Sequence, residues 1–531
     1  MVHIVWNRKG LLLVACLSGL TALAVLVRLG AQGGIPLYPD SFQSMLLARA
    51  LSNSVPVDPS MGVGGDPWAI PFYRMGYPLF ASLLSWLSDD PLVSGLVLSF
   101  VAGTVTIPLM YFLTLEGLGS RMAATGAALA MAISFSGVAW SRFVMSEALA
   151  SFLIVLTFLL CVLAGRRQMR FLGIVAGLAA ALMLLVRLEL LVLLPTCVLF
   201  LRMNARGAQE GRASVQRDFL LALAVSIVAL SVLCGWLTQN VADGFSLNPF
   251  YLLRSGFSGV AHSGDAAKLG FASGMASFVI QEPVVVLGGA VGLAVGLRRR
   301  DTRLWPLWPG LVLLVALQAP RNDIRLLAGM VPLLAYAAGV GFETTWEWAA
   351  RAIREASPMR AAVLSGVFGL AAGLLLLGQL GQTEARWHPS HSYQYEIAQG
   401  VQEGVAGLAL PDVIVCSYSP EVYYLVADLP ARRLSAPDLS KCLSSESDDR
   451  PVLVVVDEAA RQHFGDAFEE DVRSAGTLVF KIKTDAPYLE GASKFDDVLP
   501  ANVYLLNNPH LRPPSPVEDG RRSHSVSSRG P

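Results

Sequence analysis

Met75-Gly76-Tyr77-Pro78-Leu79-Phe80-Ala81-Ser82-Leu83-Leu84-Ser85-Trp86-Leu87 is an apolar run of 13 residues, and whether it crosses a membrane decides the topology of everything after it. A spanning helix needs about 20 apolar residues to cover ~30 Å of hydrocarbon, so this run falls short. The loops downstream decide the matter, because short loops rich in Lys and Arg stay on the cytoplasmic side. Four such loops follow: Arg166-Arg167-Gln168-Met169-Arg170; the stretch holding Arg202, Arg206, Arg212 and Arg217; Arg298-Arg299-Arg300 with Arg303; and Arg351, Arg354 and Arg360. Counted from a cytoplasmic N-terminus, all four fall inside if 75–87 does not cross and outside if it does. The run is therefore predicted to be a helix lying along the outer interface.

The rest of the chain has the same character. Of its 531 residues 54% are hydrophobic and 15% charged, with a mean hydropathy of +0.53, whereas soluble domains run nearer a quarter charged. The formal net charge of +0 gives no reason to expect a nucleic-acid partner. In hydrocarbon every backbone polar group needs an internal partner, so long apolar runs must be helices. These are Leu11–Leu29, Pro91–Leu115, Met122–Trp140, Val144–Gly165, Phe171–Val186, Leu188–Leu201, Phe219–Leu237, Val284–Leu297, Leu304–Leu317, Leu326–Phe342 and Ala361–Leu380. The expected fold is an α-helical polytopic membrane protein of about eleven spans in a plasma or inner membrane, the shorter runs needing flanking residues or a thin bilayer. The first run follows Asn7-Arg8-Lys9 as a signal peptide would. Its apolar core is longer than a signal peptide's and Arg28 with many spans follows, so a retained helix is expected.

Three outer regions result: a first loop over 30–90, a second from Thr238 to Pro283, and the chain from Glu384 onward. The domains are thus a membrane module over 1–383, an extracytoplasmic domain over 384–508 and a disordered Pro/Ser/Arg/Gly-rich tail over 509–531. Val413-Ile414-Val415, Val452-Leu453-Val454-Val455-Val456 and Leu478-Val479-Phe480 read as strands and Asp457–Val472 as a helix, which makes the outer domain α/β. Cys16, Cys161, Cys197 and Cys234 sit in apolar runs as small hydrophobes. Cys416 and Cys442 lie in the outer domain, where a disulfide is permitted.

Charge within the membrane costs about 2.5–3.5 kcal/mol per residue on insertion scales, so the charges that persist near helix ends are informative. Asp40 follows the first span; Asp58, Asp66, Tyr73 and Arg74 lie further along the same loop. Arg142 stands about one turn before Glu147, which opens the fourth span; Arg187 and Glu189 form the turn between the fifth and sixth; Arg321, Asp323 and Arg325 form the turn before the tenth. Each has a bland reading: solvated loop carboxylates, a local ion pair between Arg142 and Glu147, arginines that snorkel to headgroups. Their convergence on one membrane face is what favours a site. His262 with Asp265 reads as a loop pair, and no His/Asp cluster has convincing metal-ligand spacing.

Four segments, in order, resemble the GT-C superfamily of polyprenyl-phosphate-sugar-dependent glycosyltransferases, in the branch of protein mannosyltransferases and the aminoarabinose and lipopolysaccharide-core transferases of the cell envelope. Pro39-Asp40-Ser41 with Ala48 and Leu51 is similar to that family's first-loop acidic motif. Arg74-Met75-Gly76-Tyr77-Pro78-Leu79 is similar to its juxtamembrane helix. Ser141-Arg142-Phe143-Val144-Met145-Ser146-Glu147 is similar to its segment between the third and fourth spans, and Leu185-Val186-Arg187-Leu188-Glu189-Leu190 to its "TRPE"-type turn, with Leu188 where proline is common. The resemblance covers roughly residues 1–345. Many members carry a second acidic residue beside the first; Ser41 stands there instead, so a second carboxylate would come from Glu147 or Asp66.

The resemblance implies transfer of a sugar from a polyprenyl-phosphate donor to an acceptor hydroxyl on a lipid, glycan or protein, with inversion and Asp40 as general base. Glu147 is the other candidate for the chemistry. Arg74, Arg187, Arg321 and Arg325 are the candidates for the phosphate, whose oxygens match planar guanidinium groups; Asp66, Tyr73, Arg142 and Glu189 complete the expected substrate-binding set. A divalent metal shares this work in some relatives, and the sequence leaves that open here. The competing reading is a secondary transporter or lipid flippase, whose ionisable residues gather near the midplane with inverted repeats and broken helices; here the charges gather at outer helix ends.

Overall fold

The computed structural model describes residues 18–26, 28, 39–53, 69–71, 75–88, 90–204, 209–238, 244–246, 275–318, 327–355, 359, 363, 373, 377–378, 393–408, 412–419, 422–423, 426–434, 450–457, 460–461, 464–482 and 501–506. Capping residues set the helix ends in the first half. Asp90 accepts from the Leu92 amide ahead of Pro91, and Gly119, at φ 76°, closes that helix; Ser120 then accepts from the Ala123 amide to open the next. A side-chain oxygen satisfies a free first-turn amide, and glycine takes the left-handed cap without a Cβ penalty. In chain order the helices are α1 (Pro39–Asn53), α2 (Gly76–Ser88), α3 (Pro91–Leu118), α4 (Arg121–Ile133), α5 (Phe135–Arg142), α6 (Ser146–Arg167) and α7 (Arg170–Val186). After a 3-10 turn over Leu188–Leu193 come α8 (Leu194–Asn204), α9 (Gln209–Thr238), α10 (Met275–Gln281), α11 (Pro283–Arg299), α12 (Leu307–Gln318) and α13 (Met330–Glu355).

The chain divides into two units, Met1–Pro59 with Asp66–Ser392, and Ser60–Gly65 with Tyr393–Pro531. In the first, among the described residues, three helices are long and apolar enough to cross a membrane: α3, α6 and the 213–237 part of α9. There are up to five if the bent pairs α4–α5 (50°) and α10–α11 (100°) each count as one span. Two shorter apolar helices, Arg170–Val186 and Thr302–Leu317, correspond to the short runs in the sequence. The last predicted span, Ala361–Leu380, lies almost wholly outside the described residues. Of the span windows, 72% of α6 is buried within the protein against 17% of α9, so α6 is the inner helix and α9 faces outward. α11 and α13 touch most closely, because a Cβ at Gly292 would overlap the Ala337 carbonyl and one at Gly341 the Gly288 carbonyl. Small residues replace the hydrophobic effect as the means of bringing helices together in lipid.

A two-stranded parallel pair joins β1 (Ala69–Pro71) with β2 (Gly244–Ser246), Ile70 opposite Phe245. Paired strands share a side of the membrane, which asks for an even number of crossings between them. Among the described helices between the strands, α3, α6 and α9 are long and apolar enough to cross and the bent pair α4–α5 counts as one more.

In the second unit α14 (Tyr393–Leu408) precedes β3 (Ile414–Ser417), β4 (Ala431–Arg433), β5 (Val452–Val456), α15 (Asp466–Ala475), β6 (Gly476–Ile482) and β7 (Ala501–Leu506). The sheet order is β4-β3-β5-β7-β6. The first three strands are parallel, and β7 runs antiparallel to β5 and β6. β5 is buried at all five positions, as its unbroken Val-Leu-Val-Val-Val requires of a strand covered on both faces. The helix read over Asp457–Val472 is interrupted: Ala460, Arg461 and Phe464 are helical, with Asp457 accepting from the Ala460 amide at 2.8 Å, and Gly465 at φ 80° breaks the run before α15 starts at Asp466. Cys416 is disulfide-bonded; Cys442 lies outside the described residues.

Behind β7, Arg461 Nε (2.9 Å), Asn502 Nδ2 (2.5 Å) and the Tyr504 hydroxyl (2.9 Å) all donate to Glu469. Burial raises the pKa of this carboxyl, but the three donors outweigh it and hold the group below its ordinary value. A lowered pKa stabilises the fold above the unfolded carboxylate's pKa, and that stability is lost as pH falls through the folded value. In acid unfolding of the full chain, followed by the second unit's own signals, stability should therefore fall as pH drops below the ordinary glutamate pKa of about 4.3, and Glu469→Gln should flatten that part of the curve. An unchanged acid slope in the variant would contradict this. In sealed vesicles with native thiols blocked, cysteines at Ile70 and Phe245 should both react with an impermeant maleimide from one side; labelling from opposite sides would break the parity.

Candidate active site

The site grows from the end of α5. Arg142 is its last residue; Phe143 (φ −100°, ψ 155°) and Met145 (φ −142°, ψ 149°) have left the helix, and the Met145 amide donates to the Phe143 carbonyl at 2.9 Å, so the chain makes a tight turn at Val144 before α6 starts at Ser146. Ser99 of α3 clamps that segment, donating its hydroxyl to the Met145 carbonyl (3.1 Å) and accepting from the Met145 amide (3.4 Å). Tyr77 of α2 shares a hydrogen bond with Ser99 (2.8 Å) and donates to the Gly95 carbonyl (2.8 Å). One residue earlier, Gly76 lies against the Leu185-Val186 backbone, where a Cβ would stand 2.7 Å from the Val186 nitrogen. Glycine is required at so close an approach. The starts of α2 and α6 and the end of α7 thus meet at one place.

Glu147 stands in the first turn of α6, whose N-cap Met145 offers no side-chain acceptor, so the helix end favours a negative charge there. Arg187, extended just past α7 (φ −149°, ψ 108°), reaches Glu147 Oε1 with Nη1 at 2.7 Å and Glu189 Oε1 with Nη2 at 3.5 Å. The three side chains are 3% (Glu147), 15% (Arg187) and 12% (Glu189) exposed. Two carboxylates against one guanidinium leave this triad one negative charge in excess. Oε2 of Glu147 and Oε2 of Glu189 are both buried with no hydrogen-bond partner, a condition that costs free energy until a donor arrives. The triad lines a small recess whose other walls include Ala150, Ile154, Leu190 and Leu314.

The structure therefore brings together Glu147, Arg187 and Glu189 of the expected set. Arg142 takes another place: it is buried, and its Nε donates to the Arg28 carbonyl at 3.1 Å. Asp40 is the second residue of α1, but its side chain is outside the described part, as are Asp66, Tyr73, Arg74, Arg321 and Arg325, and the loop pair His262 and Asp265. Sequence reasoning missed Ser99 and the role of Tyr77, neutral residues with no charge to draw attention. Among the described residues no three His, Cys, Asp or Glu side chains gather closely enough to hold a metal.

A family model described as dolichyl-phosphate-mannose-protein mannosyltransferase matches residues 75–236, which run from Met75 through the triad into α9. No curated protein matches the chain. Among solved structures, ArnT from Cupriavidus metallidurans bound to undecaprenyl phosphate is similar at 11% identity and a TM-score of 0.62, covering 94% of this chain and 98% of that one. The archaeal oligosaccharyltransferase AglB from Archaeoglobus fulgidus, in complex with an inhibitory peptide and a dolichol-phosphate, is similar at 13% identity and a TM-score of 0.53, covering 93% and 76%. At such identities the likeness is one of fold, and the family match adds a sequence signal over the site. Together they place the chain in the GT-C superfamily. It is a membrane glycosyltransferase.

Breaking a buried ion pair from one side costs about 3–5 kcal/mol, because the abandoned charge stays buried. Arg187→Met should accordingly lower the heat tolerance of the solubilised protein more than the double variant Arg187→Met with Glu147→Gln, measured as monodisperse protein surviving a temperature ramp. Equal losses in the two would show that the pair is not coupled.

Proposed function

We propose that the protein transfers a sugar from a polyprenyl-phosphate donor to an acceptor hydroxyl on the extracytoplasmic side of the membrane, in one inverting displacement with Asp40 as general base. The observation that carries this is the recess lined by the Glu147–Arg187–Glu189 triad together with Ala150, Ile154, Leu190 and Leu314. Relatives in fold hold dolichol-phosphate and undecaprenyl phosphate, the same class of lipid. The membrane module over 1–383 would carry the reaction and the domain over 384–508 would stand on the same outer side.

In that reaction the acceptor oxygen bonds to the anomeric carbon as the bond from that carbon to the phosphate oxygen breaks. Polyprenyl phosphate departs as an anion that needs no general acid. The acceptor's proton passes to the base, which must lie within hydrogen-bond reach, about 2.6–3.2 Å. No enzyme nucleophile is needed when the acceptor itself attacks. Arg187 entered as a phosphate candidate, but two carboxylates already claim its charge. With the triad's net negative charge, Glu147 and Glu189 suit the hydroxyls of the sugar, whose O–H groups fill the open lone pairs. The phosphate falls instead to Arg74, Arg321 and Arg325, with Asp66 and Tyr73 nearby in sequence.

Asp40→Asn in membranes supplied with a labelled polyprenyl-phosphate sugar should lose about 10²–10⁴-fold in transfer rate, the usual worth of a general base. Transfer at the wild-type rate would remove Asp40 from this role. Solute uptake by vesicles without sugar transfer would favour a transporter.

A further inference from the structure

Two helix breaks in the membrane unit meet. α4–α5 bends at Ser134 and α10–α11 bends at Glu282. Glu282, fully buried, accepts from the amides of Phe135 (3.1 Å) and Ser136 (2.5 Å), the first two of α5. From the other side Arg28, 3% exposed, donates Nη1 to the carbonyls of Ala24 (3.2 Å) and Ala132 (3.4 Å), and Nη2 to that of Gly137 (3.1 Å). A break frees amides on one side and carbonyls on the other. Here a carboxylate takes the amides and a guanidinium the carbonyls.

Neither residue lines the recess, yet both are connected to it. The last residue of α5, Arg142, returns its Nε to the carbonyl of Arg28. Three residues later Met145 is clamped by Ser99, and Glu147 follows. An uncharged cap already serves this turn, since Ser134 accepts from the Gly137 amide at 3.1 Å. Two buried charges of opposite sign, pulling on opposite sides of the break, add a direction that a hydroxyl cannot.

We infer that Arg28 and Glu282 are positioning residues that set the angle of α5 at the Ser134 break and thereby, through Arg142 and the turn over residues 143–145, the place of Glu147 beside Arg187. The kinetic consequence rests on the transferase reading; the geometric one does not. A misplacement of about 1 Å in a reacting constellation costs on the order of 10²-fold in rate.

The test uses the full chain in lipid nanodiscs, with Glu282→Gln, which keeps the length but replaces one acceptor oxygen by a donor, and Arg28→Gln. Hydrogen exchange read by mass spectrometry should rise on the order of 10-fold in peptides covering 134–147, with α3 and the body of α6 unchanged, since local opening is read segment by segment. In the transfer assay kcat per folded molecule should fall by about 10²-fold while KM for the lipid donor stays within about 2-fold. Glu282→Asp, which keeps both oxygens and the charge, should recover part of the lost kcat. Wild-type exchange over 134–147, exchange raised uniformly through the bundle, or an unchanged kcat would each overturn the inference. If the wild-type chain transfers no sugar, the transferase reading falls, and the exchange experiment still decides whether the clamp sets α5.

Discussion

A helix that breaks inside an apolar bundle must give its freed amides and carbonyls to something, because no water is at hand to take them. This constraint shapes the membrane unit around Ser134. The partners are Glu282 and Arg28, brought from helices far apart in the chain, and the short helix they hold ends where the 143–145 turn begins. After that turn α6 starts beside the end of α7, and Glu147 meets Arg187. The recess thus depends on backbone bonds being satisfied several residues away from it.

Broken helices are also a mark of transporters, where the gap lines a path for solute. Here protein side chains occupy the freed groups at the Ser134 break. The open hydrogen-bonding capacity sits in the recess instead, on Oε2 of Glu147 and of Glu189.

Much of the fold was legible because hydrocarbon leaves so few options. Apolar runs near Pro91, Ser146 and Arg170 became helices with those starts, and the 75–87 run became the helix α2. The α/β character of the second unit was likewise readable from the Val-rich 452–456 run. β4 and β7 were not, since Ala431-Arg432-Arg433 lacks the apolar signature and Asn502 interrupts the apolar run over 501–506. At the site, charge patterning drew attention to Glu147, Arg187 and Glu189, which the fold brings together, because charges at helix ends stand out. It gave no sign that Arg142 reaches the Arg28 carbonyl, a tertiary contact across 114 positions. It passed over Glu282 because a carboxylate beside a proline at a helix start looks like an ordinary first-turn acid.

The β1–β2 pair has a consequence for how the protein is made. Residues 69–71 find their partner at 244–246, after the whole run of helices from α3 to α9. At the roughly 5–20 residues per second of synthesis, the earlier strand waits on the order of ten seconds or more for its mate. The pairing therefore forms late, after the helices from α3 to α9 have been made. A nascent chain halted before residue 244 would carry the Glu147–Arg187–Glu189 segments in full and still lack the strand that pairs with 69–71.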